Sequence, residues 1–211
     1  AWDSPTQLLN EGDRDGGDWL PAEADVSIRP GWFFHEAEND RVRSPANLFD
    51  LYMKSVGRGT SLLLNLPPDR RGRIHEIDQE ALMGFRALRD SLFESDCIGA
   101  ATVHADSGSV DDLLREDGWL QAGDRHVTVT FTFGQPQCVG IVGLREQLQL
   151  GQRIDTWTIE TFSDSGWSVR AEGQAVGNRR LVDIGNRSVD GVRIRLVGRD
   201  APAVRNVGLY R

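Results

Sequence analysis

Residues 44–74 read SPANLFDLYMKSVGRGTSLLLNLPPDRRGRI, and this stretch decides the fold class of the first part of the chain. Ser44 followed by Pro45 is a helix N-cap with proline at the first helical position, where the missing N–H has no intrahelical partner to lose. Leu48, Tyr52 and Val56 then recur with Phe49 and Met53 at helical spacing, which predicts a helix over about 45–56. Gly57 and Gly59 end it. The run SLLLNL at 61–66, closed by Pro67-Pro68, has the pattern of a short strand covered on both faces, as in parallel sheets. DRRGR is a polar loop, and Asp78 is placed to cap a second helix whose Leu82, Phe85, Leu88 and Leu92 share one face. Upstream, 19–29 divides by parity: Trp19, Pro21, Glu23, Asp25, Ser27 and Arg29 against Leu20, Ala22, Ala24, Val26 and Ile28, the second set being the packed one. The order strand, helix, strand, helix predicts a piece of an α/β layer or barrel.

The pattern changes near residue 97. Downstream segments alternate with period two: VTVTFTF at 127–133 sets Val127, Val129, Phe131 and Phe133 against three threonines, and VRIRL at 192–196 does the same with two arginines. Further strands are expected at 139–145, 154–162, 167–172, 179–184 and 204–209. Gly134, Asp164-Ser165-Gly166, Gly177-Asn178 and Asp190-Gly191 read as turns between them. Many short strands with such punctuation predict a β-sandwich. The fold class expected is thus α/β plus all-β, with units 1–96 and 97–211.

Composition narrows the chemistry. A net charge of -8 repels polyphosphate, so nucleic acid is not an expected partner and a neutral substrate is. Cys97 and Cys138, with no CxxC pair, read as free thiols, and no histidine spacing suggests zinc; no metal or other cofactor is expected. No apolar run approaches the roughly 20 residues that span a bilayer, so no membrane partner is expected, and the first residues lack the basic and apolar regions of a signal peptide.

The stretch DWLPAEADVSIRPGWFFH, 18–35, carries the candidate chemistry. Glu23, Asp25 and Arg29 share a strand face that runs through Pro30-Gly31 into Trp32, Phe33, Phe34 and His35. Aromatic rings beside carboxylates are how sugar sites are commonly built: rings cover apolar sugar faces, and acids engage hydroxyls and protons. A solvated edge strand followed by core aromatics has the same pattern.

WLPAEADVSIRPGWFFH, the segment 44–74 and the helix near Asp78 together resemble the closing part of the catalytic domain of bacterial α-L-fucosidases of glycoside hydrolase family 29, over about residues 18 to 93. The later VTVTFTFGQPQCVGIVGLREQLQLGQRIDTWTIETF and GNRRL resemble the discoidin-like β-sandwich of the branch that prefers α-1,3/1,4-linked fucose. The resemblance implies the last portion of a (β/α) barrel followed by a discoidin-like jelly roll, and retaining hydrolysis of terminal α-linked L-fucose from oligosaccharides or glycoconjugates by a secreted or periplasmic parent enzyme. It makes Glu23 the catalytic candidate, better cast as a substrate-contacting carboxylate than as the acid/base. It sets Trp32 against the fucose ring and its C6 methyl group. Asp25 and His35 fall in the same motif as substrate-binding candidates.

The family's nucleophilic aspartate stands in a Trp-x-Asp-Gly strand end, and none of Asp15-Gly16, Asp117-Gly118 and Asp190-Gly191 has Trp two residues before the aspartate. A whole eight-stranded barrel takes about 250 residues. The expectation is therefore a C-terminal fragment, inactive alone, with the missing barrel segment as a partner. The alternative is a carbohydrate-binding or structural sandwich, with Trp119, Arg153, Trp157 and Trp167 as candidate contacts, and with Arg153 and Arg179 otherwise read as anchors of loops or of the interdomain contact.

Overall fold

A computed structural model describes residues 15–17, 21–114, 117–164 and 166–211. The chain divides into two compact units, Leu20–Glu94 and a second containing Ser95–Arg211.

In the first unit, β1 (Glu23–Ser27) runs parallel to β2 (Ser61–Asn65), with Glu23 opposite Ser61 and Asp25 opposite Leu63. Parallel neighbours need a crossover, and α1 (Pro45–Lys54) supplies it. Ser44 caps α1 as expected, its side chain accepting from Asn47 N at 3.2 Å. The α-helix stops at Lys54, earlier than the periodicity predicts, because residues 56–58 tighten into a 3-10 turn that ends on Gly59 at φ 84°. α2 (Glu76–Glu94) follows β2. Its start corrects the expected cap: Asp78 lies inside the first turn, fully buried, and pairs with Arg29. Ile28, Leu48 and Ala81 form the buried nucleus, with Leu51, Leu64 and Phe85 packed against it. The predicted strand over 19–29 is shorter than read, and its Trp19 and Leu20 lie outside the described residues.

The second unit is built from β3 (Ala101–Ala105), a short α3 (Val110–Leu113), β4 (Leu120–Gln121), β5 (His126–Glu146), β6 (Ile154–Ser163), β7 (Gly166–Gln174), β8 (Arg180–Gly198) and β9 (Ala203–Tyr210). All pairings in it are antiparallel. The first half of β5 lies between β3 and β8, the second half between β9 and β8. The two long strands thus serve both layers of a sandwich, passing between them at bends. One continuous core takes Val127, Val129, Phe131 and Phe133 from the first half and Val142 and Leu144 from the second.

That continuity corrects two expected turns. Segments 127–133 and 139–145 are one strand, as are 179–184 and 192–196. Gly134 and Asp190-Gly191 do not reverse the chain. Gly191 pairs with Thr132 and Val189 with Gln137, so Gly134 and Asp190 fall in the register shift between those pairs, and these residues bend a ladder. Gly191 is needed there because a side chain would press on the Phe131 carbonyl.

Both cysteines are free, Cys97 buried and Cys138 exposed. Burial pushes the Cys97 thiol up. Among the described residues no helix is long and apolar enough to cross a membrane, and no group of three or more His, Cys, Asp or Glu residues could hold a metal ion.

Candidate functional site

Both parallel strands run toward the same end of the first unit, the end at which open α/β layers usually collect their functional loops. After β1 the chain leaves at Arg29 and returns at Arg43, whose N–H donates to Ile28 O at 3.0 Å and whose Nε donates to Ser27 O at 2.9 Å. The loop so closed carries Trp32 and His35.

Three side chains pin it. Asn65, at the end of β2, donates through Nδ2 to Ser27 Oγ and to Trp32 O, both at 3.0 Å. Ser27 Oγ in turn donates to Gly31 O at 2.7 Å. Arg29 reaches inward: Nε donates to Asp78 Oδ2 at 2.9 Å, and Nη1 donates to His35 O at 3.2 Å and to Asn39 Oδ1 at 3.1 Å. The guanidinium lies 4.6 Å over the Phe34 ring, which also stacks on His75 at 5.5 Å. Phe34 is therefore spent on holding the loop. Its neighbours are left outside it, Trp32 51% exposed and Phe33 78%.

The loop after β2 is held separately. Asp69 accepts from the N–H groups of Arg71 and Arg73 at 2.7 and 3.2 Å, and from Arg71 Nε at 2.9 Å. Arg71 also bridges to Glu76 at 2.8 Å. The Arg71 guanidinium holds the Asp69 carboxyl well below the usual range, at about 2.

The four candidate residues are not all at one place. Trp32 and His35 ride the pinned loop beyond the end of β1. Asp25 is exposed mid-strand beside Leu63, itself 52% exposed. Glu23 opens the strand, about 13 Å before Ser27 at the usual rise per residue. Arg29, expected on the polar face with them, instead turns inward as soon as the strand ends at Ser27. Sequence reading missed Asn65 and Asp78 as anchors. The available signal was chemical: a lone amide in the apolar run SLLLNL, and an acid two residues into a helix.

In the second unit, Trp157 is core, its Nε1 donating to Ala175 O at 3.1 Å. Arg153 ties its own turn through Leu150 O at 2.9 Å. Trp167 stacks under Arg193 at 4.1 Å and beside Phe162 at 5.2 Å, and Trp119 is 38% exposed.

No protein-family model matches the chain. It is similar to α-L-fucosidase 1 of Arabidopsis thaliana, 34% identical over 99% of this chain and 44% of the relative. A rice protein provisionally assigned the same activity is 36% identical over 81% of this chain and 35% of its own length. The chain thus spans less than half the length of these curated relatives. Among solved structures, a Bacteroides thetaiotaomicron protein provisionally assigned as an α-L-fucosidase superposes with a TM-score of 0.90, at 32% identity over 97% of this chain and 48% of that one. A Ruminococcus gnavus GH29 fucosidase in complex with fucose shares the fold, with a TM-score of 0.88 at 24% identity over 95% of this chain and 43% of that one.

Proposed function

Because the chain is homologous to α-L-fucosidases over nearly its whole length, we propose that it forms part of a retaining α-L-fucosidase acting on fucosylated oligosaccharides or glycoconjugates. The observation that carries this reading is Trp32, presented half-exposed on a loop that Asn65, Ser27 and Arg29 fix at the ends of two parallel strands. A ring held this way can cover the apolar face of a sugar without losing side-chain freedom when the sugar arrives. In this reading residues 1–96 are the closing part of the catalytic barrel of glycoside hydrolase family 29, in its α-1,3/1,4-selective branch. Residues 97–211 are a discoidin-like, carbohydrate-binding-module-like sandwich.

Retaining hydrolysis needs one carboxylate to attack the anomeric carbon and a second to protonate the leaving oxygen and later activate water. Trp32 packs on the fucose ring and its C6 methyl group, Asp25 and His35 meet hydroxyls, and Glu23 is a substrate-contacting carboxylate. The nucleophile comes from a Trp-x-Asp-Gly segment that these 211 residues do not contain. The chain assayed alone should therefore release no fucose from a fucosylated oligosaccharide. In a protein carrying this segment together with the remaining barrel, Trp32→Ala should cost about 1.5–3 kcal/mol of transition-state binding, roughly 10- to 150-fold in kcat/KM. Unchanged kinetics for Trp32→Ala would remove the loop from the site, and unchanged kinetics for Glu23→Gln would remove that carboxylate.

A further inference from the structure

One outer face of the sandwich carries side chains that its core does not need. On β6, Ile159 and Thr161 are buried, so Thr158, Glu160 and Phe162 share the opposite face of the sheet. Directly opposite residues of an antiparallel ladder lie on one face, and the pairing extends this one sideways. Glu160 stands opposite Arg193 of β8 and Val169 of β7, and Phe162 stands opposite Gly191 and Trp167. Thr158 stands opposite Arg195 and Glu172.

Rings and charges are locked together there. Arg193 grips the Glu160 carboxylate at two points, Nε donating to Oε2 at 2.7 Å and Nη2 to Oε1 at 2.8 Å. Arg195 Nε donates to the same Oε2 at 2.7 Å. These bonds, that of Arg193 first, hold the Glu160 carboxyl below its ordinary value, so it stays ionised and accepts from both arginines. The Arg193 guanidinium lies 4.1 Å from the centre of the Trp167 ring, and Trp167 meets Phe162 at 5.2 Å. Trp167 reaches across β6 as far as β8, where a Cβ at Gly191 would lie 3.6 Å from the indole.

The groups left over point to a ligand. Phe162 is 38% and Val169 53% exposed. Among the described residues, Arg193 Nη1, both Nη groups of Arg195 and the Trp167 Nε1 donate to nothing. Glu160 and Trp167 already fix the two guanidiniums, so a ligand need not order them. Rings meet the C–H face of a pyranose, and guanidinium N–H groups donate to its hydroxyls. Glu160 and the exposed Glu172 offset the two arginines, so the face has no net charge with which to attract an anion.

We propose that Phe162, Trp167, Arg193 and Arg195 form a binding surface for a neutral glycan, one pyranose lying against the rings with its hydroxyls on the two guanidiniums. This surface rests on the reading of 97–211 as a carbohydrate-binding sandwich and not on fucose hydrolysis, since it is tested on a chain that should release no fucose. The whole chain, labelled with 15N, is titrated with lactose, with fucosyllactose and with a methyl glucuronide, following the indole N–H signals and the Nε–H signals of Arg193 and Arg195. The neutral sugars should shift the Trp167 indole saturably, with a Kd of about 1 mM, and leave the buried Trp157 indole in place. Phe162→Ala and Arg195→Gln should each weaken binding roughly tenfold. Both should leave Tm almost unchanged, because Phe162 lies outside the core and Arg193 still holds Glu160 when Arg195 is gone. Tighter binding of fucosyllactose than of lactose makes fucose the ring that stacks, and equal affinity makes it a hexose. The proposal is overturned if neither neutral sugar gives a saturable shift, or if both variants bind as the wild type does. A shift of the Trp32 indole alone also overturns it, by assigning the sugar to the first unit. So does a response to the glucuronide only that disappears in high salt, which is what a plain arginine patch would give.

Discussion

Each unit buries a charged group where its elements meet, and the two handle desolvation differently. In the first, Arg29 is met by the opposite charge of Asp78, with both side chains 0% exposed. In the second, Glu146 at the end of β5 is buried with no cation on it among the described ion pairs. Its carboxylate accepts instead from the backbone N–H groups of Arg153, of Ile154 at 2.8 Å and of Gly177 at 3.2 Å. The pair fastens a small nucleus of Ile28, Leu48 and Ala81, whereas the amide cradle sits in a unit with a continuous core. An ion pair loses everything when one partner is cut, since it strands the other charge. A cradle of amides strands only dipoles.

The largest effect should therefore come from Asp78→Ala, which leaves the Arg29 guanidinium buried without its counter-charge and should cost about 3–5 kcal/mol in urea unfolding. Hydrogen exchange should quicken in β1 and α2 and stay unchanged in the β5–β8 ladder. Joint replacement, Arg29→Met with Asp78→Leu, should recover most of the loss, because apolar side chains carry no desolvation cost. If the double variant is as unstable as the single one, the pair is needed for its directed bonds to His35 O and Asn39, and the contrast with Glu146 disappears.

Glu146→Ala should come next, at about 2–4 kcal/mol, since it leaves three backbone donors in the interior without an acceptor. The pH dependence separates the two units more cleanly. Burial raises the Glu146 carboxyl above its ordinary value. The folded state then holds that proton longer than the unfolded state, so ionisation costs stability as pH rises from about 4.3 through the folded value. Asp69 in the first unit behaves oppositely: with a folded value of about 2, its contribution is complete above the unfolded carboxylate range and is lost as pH falls toward 2. The difference between wild type and Glu146→Ala should accordingly shrink as pH rises from 4 to 7. A difference that grows instead would mean that the three N–H groups outweigh burial.

Local order was legible wherever neighbours in sequence determine it. Ser44-Pro45 and the period of VTVTFTF announce α1 and the inward face of β5 because caps and alternation are read within a few residues. What failed needed partners far along the chain. Gly134 and Asp190-Gly191 look like turns singly, and only the β5–β8 pairing on either side of them, Thr132 with Gly191 and Gln137 with Val189, makes them a bend. The aromatic and acidic residues of 18–35 could be read as sugar chemistry, but the order of that loop could not, since Asn65 and Asp78 lie 38 and 49 residues from the side chains they hold. Arg29 shows the limit of parity most directly: Glu23 and Asp25 are exposed as the alternation predicts, but Ser27 and Arg29, on the same face by parity, are both buried.

A tight contact in the second unit should matter less. Gly173 lies against the Trp157 ring in the β6–β7 pair, so Gly173→Ala must displace an indole whose Nε1 is bonded to Ala175 O, at a cost of about 1–3 kcal/mol by thermal unfolding.

The smallest effect should come from the first unit's surface. Lys54 donates to Asp50 at 2.8 Å, four residues apart on α1 with the acid on the N-terminal side, the favourable orientation for a helix pair. Both side chains are more than half exposed, so water and salt screen most of the attraction, and Lys54→Ala should cost no more than about 0.5 kcal/mol in 0.15 M salt. Lys54 also stands in the last turn of α1, where its charge is favourable to the negative end of the helix dipole, and that contribution is screened as well. The prediction sharpens the comparison because this pair and Arg29–Asp78 belong to the same unit and differ chiefly in exposure. A loss above about 1 kcal/mol, persisting in 1 M salt, would show that the small nucleus leaves this unit dependent on its surface charges, and that burial alone does not set the ranking of its ion pairs.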